Sequence, residues 1–165
     1  MAIKKEIQGD LFAALEKAKA DWIIIPHICN NQKGWGAGFV VPLGKHFPTA
    51  KATYLDTNQD YMRLGDSQLV EVQKNKKTFW IANMIAQQGF KSESNPRPLH
   101  YGSLTKAMYQ VRDDIDNAMF RKSVEGNPTI VAPRFGSDLA GGDFGVIREL
   151  IDVIWEDYDT YVFYL

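Results

Sequence analysis

The sequence predicts an α/β layered fold, on three observations. Short apolar strands alternate with amphipathic helices along the whole chain, the rhythm of a sheet covered by helices. Residues 21–28, "DWIIIPHI", are apolar on both faces, as in the centre of a sheet covered on both sides. Two buried strands each run into a glycine-rich loop and then a helix, so the loops lie where open α/β sheets gather ligands.

Taken in order, residues 3–8 alternate apolar and polar and read as a first strand. Residues 11–20 read as a helix with Leu11, Phe12 and Leu15 on one side, and Asp10 stands before it as an N-cap. The strand at 21–28 follows, and then three glycines at 34, 36 and 38. Residues 39–47 read as a short helix despite Pro42 and Gly44, and residues 48–59 as a helix opened by a favourable first-turn proline. Residues 67–73 and 78–87 form a β-hairpin around the turn "KNKK". Residues 88–102 are the longest polar loop, near the length at which loops tend to be functional. Residues 103–120 form the longest helix, with Leu104, Ala107, Met108, Val111, Ile115 and Met119 facing inward. A buried strand at 129–133, the second glycine loop at 134–143, a helix at 144–157 and a strand at 161–165 complete the chain. No repeat, low-complexity tract or linker interrupts it, so residues 1–165 are read as one domain.

Composition excludes several classes. A chain of 165 residues buries about two-thirds of its unfolded surface. Nineteen Lys and Arg against twenty Asp and Glu argue against a general nucleic-acid or membrane-surface binder. The single cysteine, Cys29, excludes an internal disulfide framework and fits a reducing, cytoplasmic location. No apolar run reaches the length of a membrane span, and a monomer is expected.

The first loop is not a dinucleotide fingerprint: "GWGAGF" has Phe39 where G-x-G-x-x-G needs its third glycine, and no P-loop Lys-Ser/Thr follows. Two such loops at strand ends nevertheless suit a diphosphate, because successive backbone N–H groups can converge on phosphate oxygens. His27, Cys29, His46 and His100 show no metal spacing, so neither a metal nor a cofactor is expected.

The motifs "GDLF" (9–12), "HICNNQKGWGAG" (27–38), "FPTA…Y" (47–54), "LGDSQLV" (64–70), "APRFGSDLAGGDF" (132–144) and the terminal "VFYL" resemble a macrodomain, in particular the branch with ADP-ribose 1″-phosphate phosphatases. The resemblance implies a three-layer α/β/α sandwich with a central mixed sheet and ADP-ribose across its C-terminal crest. It implies that Asp10 bonds the adenine amino group with Leu11 behind it. Asn30 would face the distal ribose, and Gly36, Ala37 and Gly38 would line the phosphates. Gly136, Ser137, Leu139, Ala140 and Gly141 would close over them, and Tyr164 and Leu165 would flank the adenine.

Two residues compete for catalysis. His27 reads either as a core histidine or as a general base titrating near neutral pH, and similar phosphatases are proposed to use a histidine there. Asp138 stands where similar sequences usually have glycine, so it either weakens the phosphate grip or changes the chemistry. The resemblance puts His27 ahead. A related branch removes ADP-ribose from proteins with a lysine after the hairpin and an aspartate in the second loop. Those positions correspond to Gln87 and Ala140, neither of which is a nucleophile or base. The expected activity is hydrolysis of ADP-ribose 1″-phosphate. The alternatives are a reader of ADP-ribose and a glycohydrolase acting on ADP-ribosylated macromolecules.

Overall fold

A computed structural model describes residues 1–165. The strands are β1 (Ile3–Gln8), β2 (Trp22–Asn30), β3 (Ser67–Lys74), β4 (Lys77–Gln87), β5 (Thr129–Pro133) and β6 (Thr160–Tyr164). The helices are α1 (Leu11–Lys17), α2 (Val40–His46), α3 (Pro48–Asp56), α4 (Tyr101–Arg121) and α5 (Phe144–Ile154). The strands form one sheet in the order β1-β6-β5-β2-β4-β3. Every neighbouring pair is parallel except β3–β4, so the sheet is mixed, with one antiparallel edge strand.

Side-chain alternation on the buried strands feeds two cores. Ile24, Trp80, Ala82, Met84, Ile130 and Ala132 pack on one face against the inward stripes of α4 and α5. Ile23, Ile25, Cys29, Phe79, Ile81 and Ile85 pack on the other face beneath α1, α2 and α3. All six residues expected on the inner face of α4 are buried.

Element ends differ from the sequence expectation where tertiary contacts outcompete local pattern. α1 stops at Lys17 rather than 20, because Ala18 turns extended and its carbonyl accepts from Lys77 Nζ. α3 stops at Asp56 rather than 59; Gln59–Tyr61 form a 3-10 turn whose Asp60 N–H is capped by the Asn58 side chain. α5 stops at Ile154 rather than 157, where Trp155 leaves the helix, is fully buried, and donates its indole N–H to Met108 O at 3.0 Å. β2 extends to Asn30 because its ladder with β4 continues to the pair Asn30–Gln87. α4 starts two residues early, at Tyr101. The hairpin turn narrows to Asn75 and Lys76, both at positive φ (53° and 64°), which suits the right-handed twist of the flanking strands.

One feature of the sheet positions the site. β2 pairs with β5 only at Ile23–Thr129 and Ile24–Ile130. On either side, pairing continues to the strand ends, at Asn30–Gln87 and Pro133–Phe163. The sheet therefore splits between its two central strands at their C-terminal ends, and both glycine loops leave from the lips of the split.

Candidate functional site

The split opens into a cleft of about 1310 Å3. Its walls come from the ends of β1, β2, β4, β5 and β6 and from both glycine loops. Of the fifteen residues expected in the site, fourteen line the cleft: Asp10, Leu11, His27, Asn30, Gly36, Ala37, Gly38, Gly136, Ser137, Asp138, Leu139, Ala140, Tyr164 and Leu165. Gly141 does not. Its φ is +75°, a Cβ there would meet Pro96 O at 2.7 Å, and its N–H closes a turn onto Asp138 O. It shapes the loop from behind.

At the β1 end, Asp10 has an extended backbone and accepts the Phe12 N–H through Oδ1 at 3.0 Å. This caps α1, and its second oxygen makes no bond within the protein. Cap and ligand contact can therefore share one carboxylate.

Asn30, at the end of β2, is the most constrained polar side chain of the cleft. Its Oδ1 accepts from Gln32 N–H (3.0 Å) and Gly34 N–H (2.9 Å), and the Tyr54 hydroxyl lies 2.7 Å away. The two backbone donors fix the orientation of the amide, with the single Tyr54 proton shared between Oδ1 and the Asn30 carbonyl 2.6 Å away, so Nδ2 is left as a donor without a protein acceptor.

The glycines of the first loop serve different purposes. A Cβ on Gly34 would collide with Asn30 Nδ2 at 2.5 Å and Phe90 Cε1 at 2.6 Å, so packing requires glycine. Gly38 needs its positive φ of 80° and lies under Leu139. A Cβ on Gly36 would meet nothing within 4 Å, so this position faces open cleft. The N–H groups of Gly36, Ala37 and Gly38 donate to nothing inside the protein, and the same holds for Ser137, Asp138 and Leu139 across the cleft. Two runs of unused backbone donors therefore line one cleft, and such runs can bind phosphate oxygens.

His27 is 2% exposed. Its Nε2 lies 2.5 Å from Asn83 Oδ1. The Asn83 amide nitrogen donates to Ala50 O and Gln68 Oε1, so its oxygen must accept and His27 must carry the proton on Nε2. Burial lowers the His27 pKa to about 4, outweighing the hydrogen bond to Asn83. The ring wedges between Trp35 (centroids 5.5 Å, edge-on) and Phe39 (6.1 Å), beneath the first loop. Trp35 is thus packed under the loop, and burial raises the Cys29 thiol pKa far out of the nucleophilic range.

Asp138, by contrast, is exposed at the cleft and its carboxylate has no partner. Asp143 is the N-cap of α5, accepting the Gly145 N–H at 2.7 Å. No group of three or more His, Cys, Asp or Glu is placed to hold a metal ion. No helix is long and apolar enough to cross a membrane.

Several cleft residues escaped the sequence reading. Arg134 stacks its guanidinium 3.8 Å over the Tyr164 ring and pairs with Glu6 at 3.6 Å. Phe90 (55% exposed) and Lys91 reach in from the β4–α4 loop. An isolated aromatic in the longest polar loop was the signal for Phe90, and an arginine directly behind a buried strand the signal for Arg134.

No protein-family model matches the chain. It is similar to a 17.5 kDa protein of the tk-vs intergenic region of enterobacteria phage T4, at 27% identity over 152 residues, covering 91% of this chain and 88% of that protein. A solved structure from Bacteroides thetaiotaomicron superposes with a TM-score of 0.78 at 29% identity over 100% of both chains. A macrodomain protein from Streptomyces coelicolor gives 0.71 at 27% identity over 99% of both. Thermosipho africanus DarTG, solved in complex with ADP-ribose, gives 0.69 at 11% identity over 97% of this chain and 41% of that one. The chain has the macrodomain fold.

Proposed function

We propose that the chain binds ADP-ribose in this cleft and hydrolyses ADP-ribose 1″-phosphate, with Asp138 as the residue that activates water. The observation that carries the binding reading is the pair of unused N–H runs at Gly36–Gly38 and Ser137–Leu139. Asp10 and Asn30 extend it on either side, with a free carboxylate oxygen for an adenine amino group and a free amide donor for a ribose hydroxyl. The ADP-ribose bound by the Thermosipho neighbour supports the same ligand.

The choice of base reverses the sequence expectation. With its Nε2 proton committed to Asn83 and its pKa lowered to about 4, His27 is a weak proton acceptor. Its role is to prop the first loop. Asp138 has a free carboxylate in the cleft, and the N–H groups that hold the diphosphate would fix the ligand so that this carboxylate can work on a water at the terminal phosphate. A glycohydrolase is less well supported, because Gln87 bonds Gly89 O and Ala140 is buried. A reader without chemistry uses the same donors and is the second reading.

Calorimetry should give micromolar ADP-ribose binding, about −8 kcal/mol. A phosphate-release assay on ADP-ribose 1″-phosphate should show turnover that falls about 10²–10⁴-fold in Asp138→Asn, with His27→Gln retaining turnover per folded molecule. The reverse ranking returns His27 to the chemistry. Binding with no turnover in the wild type leaves the reader.

A further inference from the structure

The cleft is lined by two cations, Lys91 and Arg134, on opposite sides of the split. Arg134 lies over the Tyr164 ring and 3.6 Å from Glu6, whose two oxygens are already bonded to Arg148, and its Nε is buried without a partner. Lys91 forms no ion pair and no side-chain hydrogen bond. The residues that carry it, however, are held firmly. Gly89 N–H donates to Asn31 Oδ1 at 3.0 Å, and the Asn95 amide donates to the carbonyls of Gln88 (2.9 Å) and Phe90 (3.0 Å). Ser92 and Asn95 exchange backbone bonds, and Gln88 N–H reaches Pro98 O. The loop therefore brings Lys91 to the cleft wall beside Phe90, which itself lies against Gly34 and Asn30 on the β4 side of the split.

Direction follows from strand order. From Tyr164 on β6 to Gln87 on β4 is three strand steps, about 14 Å at ordinary strand spacing. On the ADP-ribose reading, a base at the β6 end and a diphosphate over the split leave the second sugar, and whatever its anomeric carbon carries, on the β4 side with Asn30 and Lys91. The carboxylate of Asp138 makes the cleft unfavourable to added negative charge unless a cation answers it.

We propose that Lys91 is the specificity-determining residue for a terminal phosphate on the distal ribose: its ammonium binds the 1″-phosphate and makes the cleft prefer the phosphorylated ligand to ADP-ribose. This rests on the ADP-ribose reading above. The test measures the affinity of wild type, Lys91→Gln and Lys91→Arg for both ligands, by stopped-flow displacement of a fluorescent ADP-ribose derivative before turnover occurs. The wild type should bind ADP-ribose 1″-phosphate about tenfold tighter, the scale of one charge-assisted hydrogen bond at an accessible site. That preference should vanish in Lys91→Gln, persist in Lys91→Arg and shrink with rising salt, while ADP-ribose affinity stays constant in all three. Equal affinities in the wild type, or a preference that survives Lys91→Gln, overturn the proposal alone. Failure of ADP-ribose itself to bind the wild type overturns the ADP-ribose reading and this proposal with it.

Discussion

Asp10 illustrates how a capping side chain can keep one carboxylate oxygen unspent, because its two oxygens are placed differently. Oδ1 is held by Phe12 N–H, and the other oxygen is free toward the cleft. Asp10→Ala should weaken ADP-ribose binding by about 1–3 kcal/mol and spare ribose 5-phosphate, as read by calorimetry; equal losses for both ligands would assign Asp10 to capping alone. His27 makes a prediction of the opposite kind, about stability. Its folded pKa of about 4 lies below the ordinary value of 6.5, so between those limits the unfolded chain binds the extra proton. Stability is unaffected above pH 6.5 and is lost as pH falls through 6.5 toward 4, by on the order of 3 kcal/mol at the lower limit. Urea titrations at about pH 7.5 and about pH 4.5, on either side of that fall, should show this loss in the wild type and a smaller one in His27→Gln. A pH-independent difference between the two proteins would mean that His27 is not buried neutral.

The first glycine loop separates, glycine by glycine, what packing demands from what a ligand demands. Gly34 is required by Phe90 and Asn30, and Gly38 by its φ of +80°. A glutamate at 38 would confound strain with blocked binding, since a left-handed backbone costs a non-glycine residue about 1–2 kcal/mol. Gly36 has neither constraint. Gly36→Glu should leave the melting temperature unchanged, within about 2 °C, and abolish ADP-ribose binding by placing a carboxylate among the N–H donors. Intact binding in that variant would show that the first loop does not hold the phosphates.

Over the whole molecule, the cleft exists because the sheet is gripped from both faces while its two central strands part. Trp155 anchors one of those faces: it is fully buried and bonded to Met108 O, between α5 and α4. Trp155→Ala should destabilise the fold by about 3–5 kcal/mol in chemical denaturation. The protein that remains folded should lose part of its ADP-ribose affinity, because the indole also packs edge-on against Phe135 of the second glycine loop, ring centroids 6.0 Å apart. Unchanged affinity, read by calorimetry on the folded fraction, would show that the Phe135 contact does not position the second loop.

The order of strands and helices, the inward stripe of α4, the hairpin and the two glycine loops that line the cleft were all legible in the sequence. Each is written in a local signal: hydrophobic period, turn residues, or a glycine behind a buried strand. The residues brought to the cleft from positions 10, 30, 36–38, 136–140 and 164–165 were legible only through the resemblance, since nothing local joins the chain's two ends. The ends of α1, α3 and α5 were not legible, because the extended turn at Ala18, the turn at Gln59–Tyr61 and the seating of Trp155 decide them. The same limit applies to His27, Arg134 and Lys91. A histidine's protonation depends on whether a partner such as Asn83, 56 residues away, meets it in a dry interior. Whether a cation is paired or free depends on which carboxylates the fold brings within reach. The sequence determined what could be built at the crest of the sheet, through the type and order of residues. The tertiary structure decided which groups there are spent on one another and which are left for a ligand, because desolvation and pairing are properties of neighbours in space.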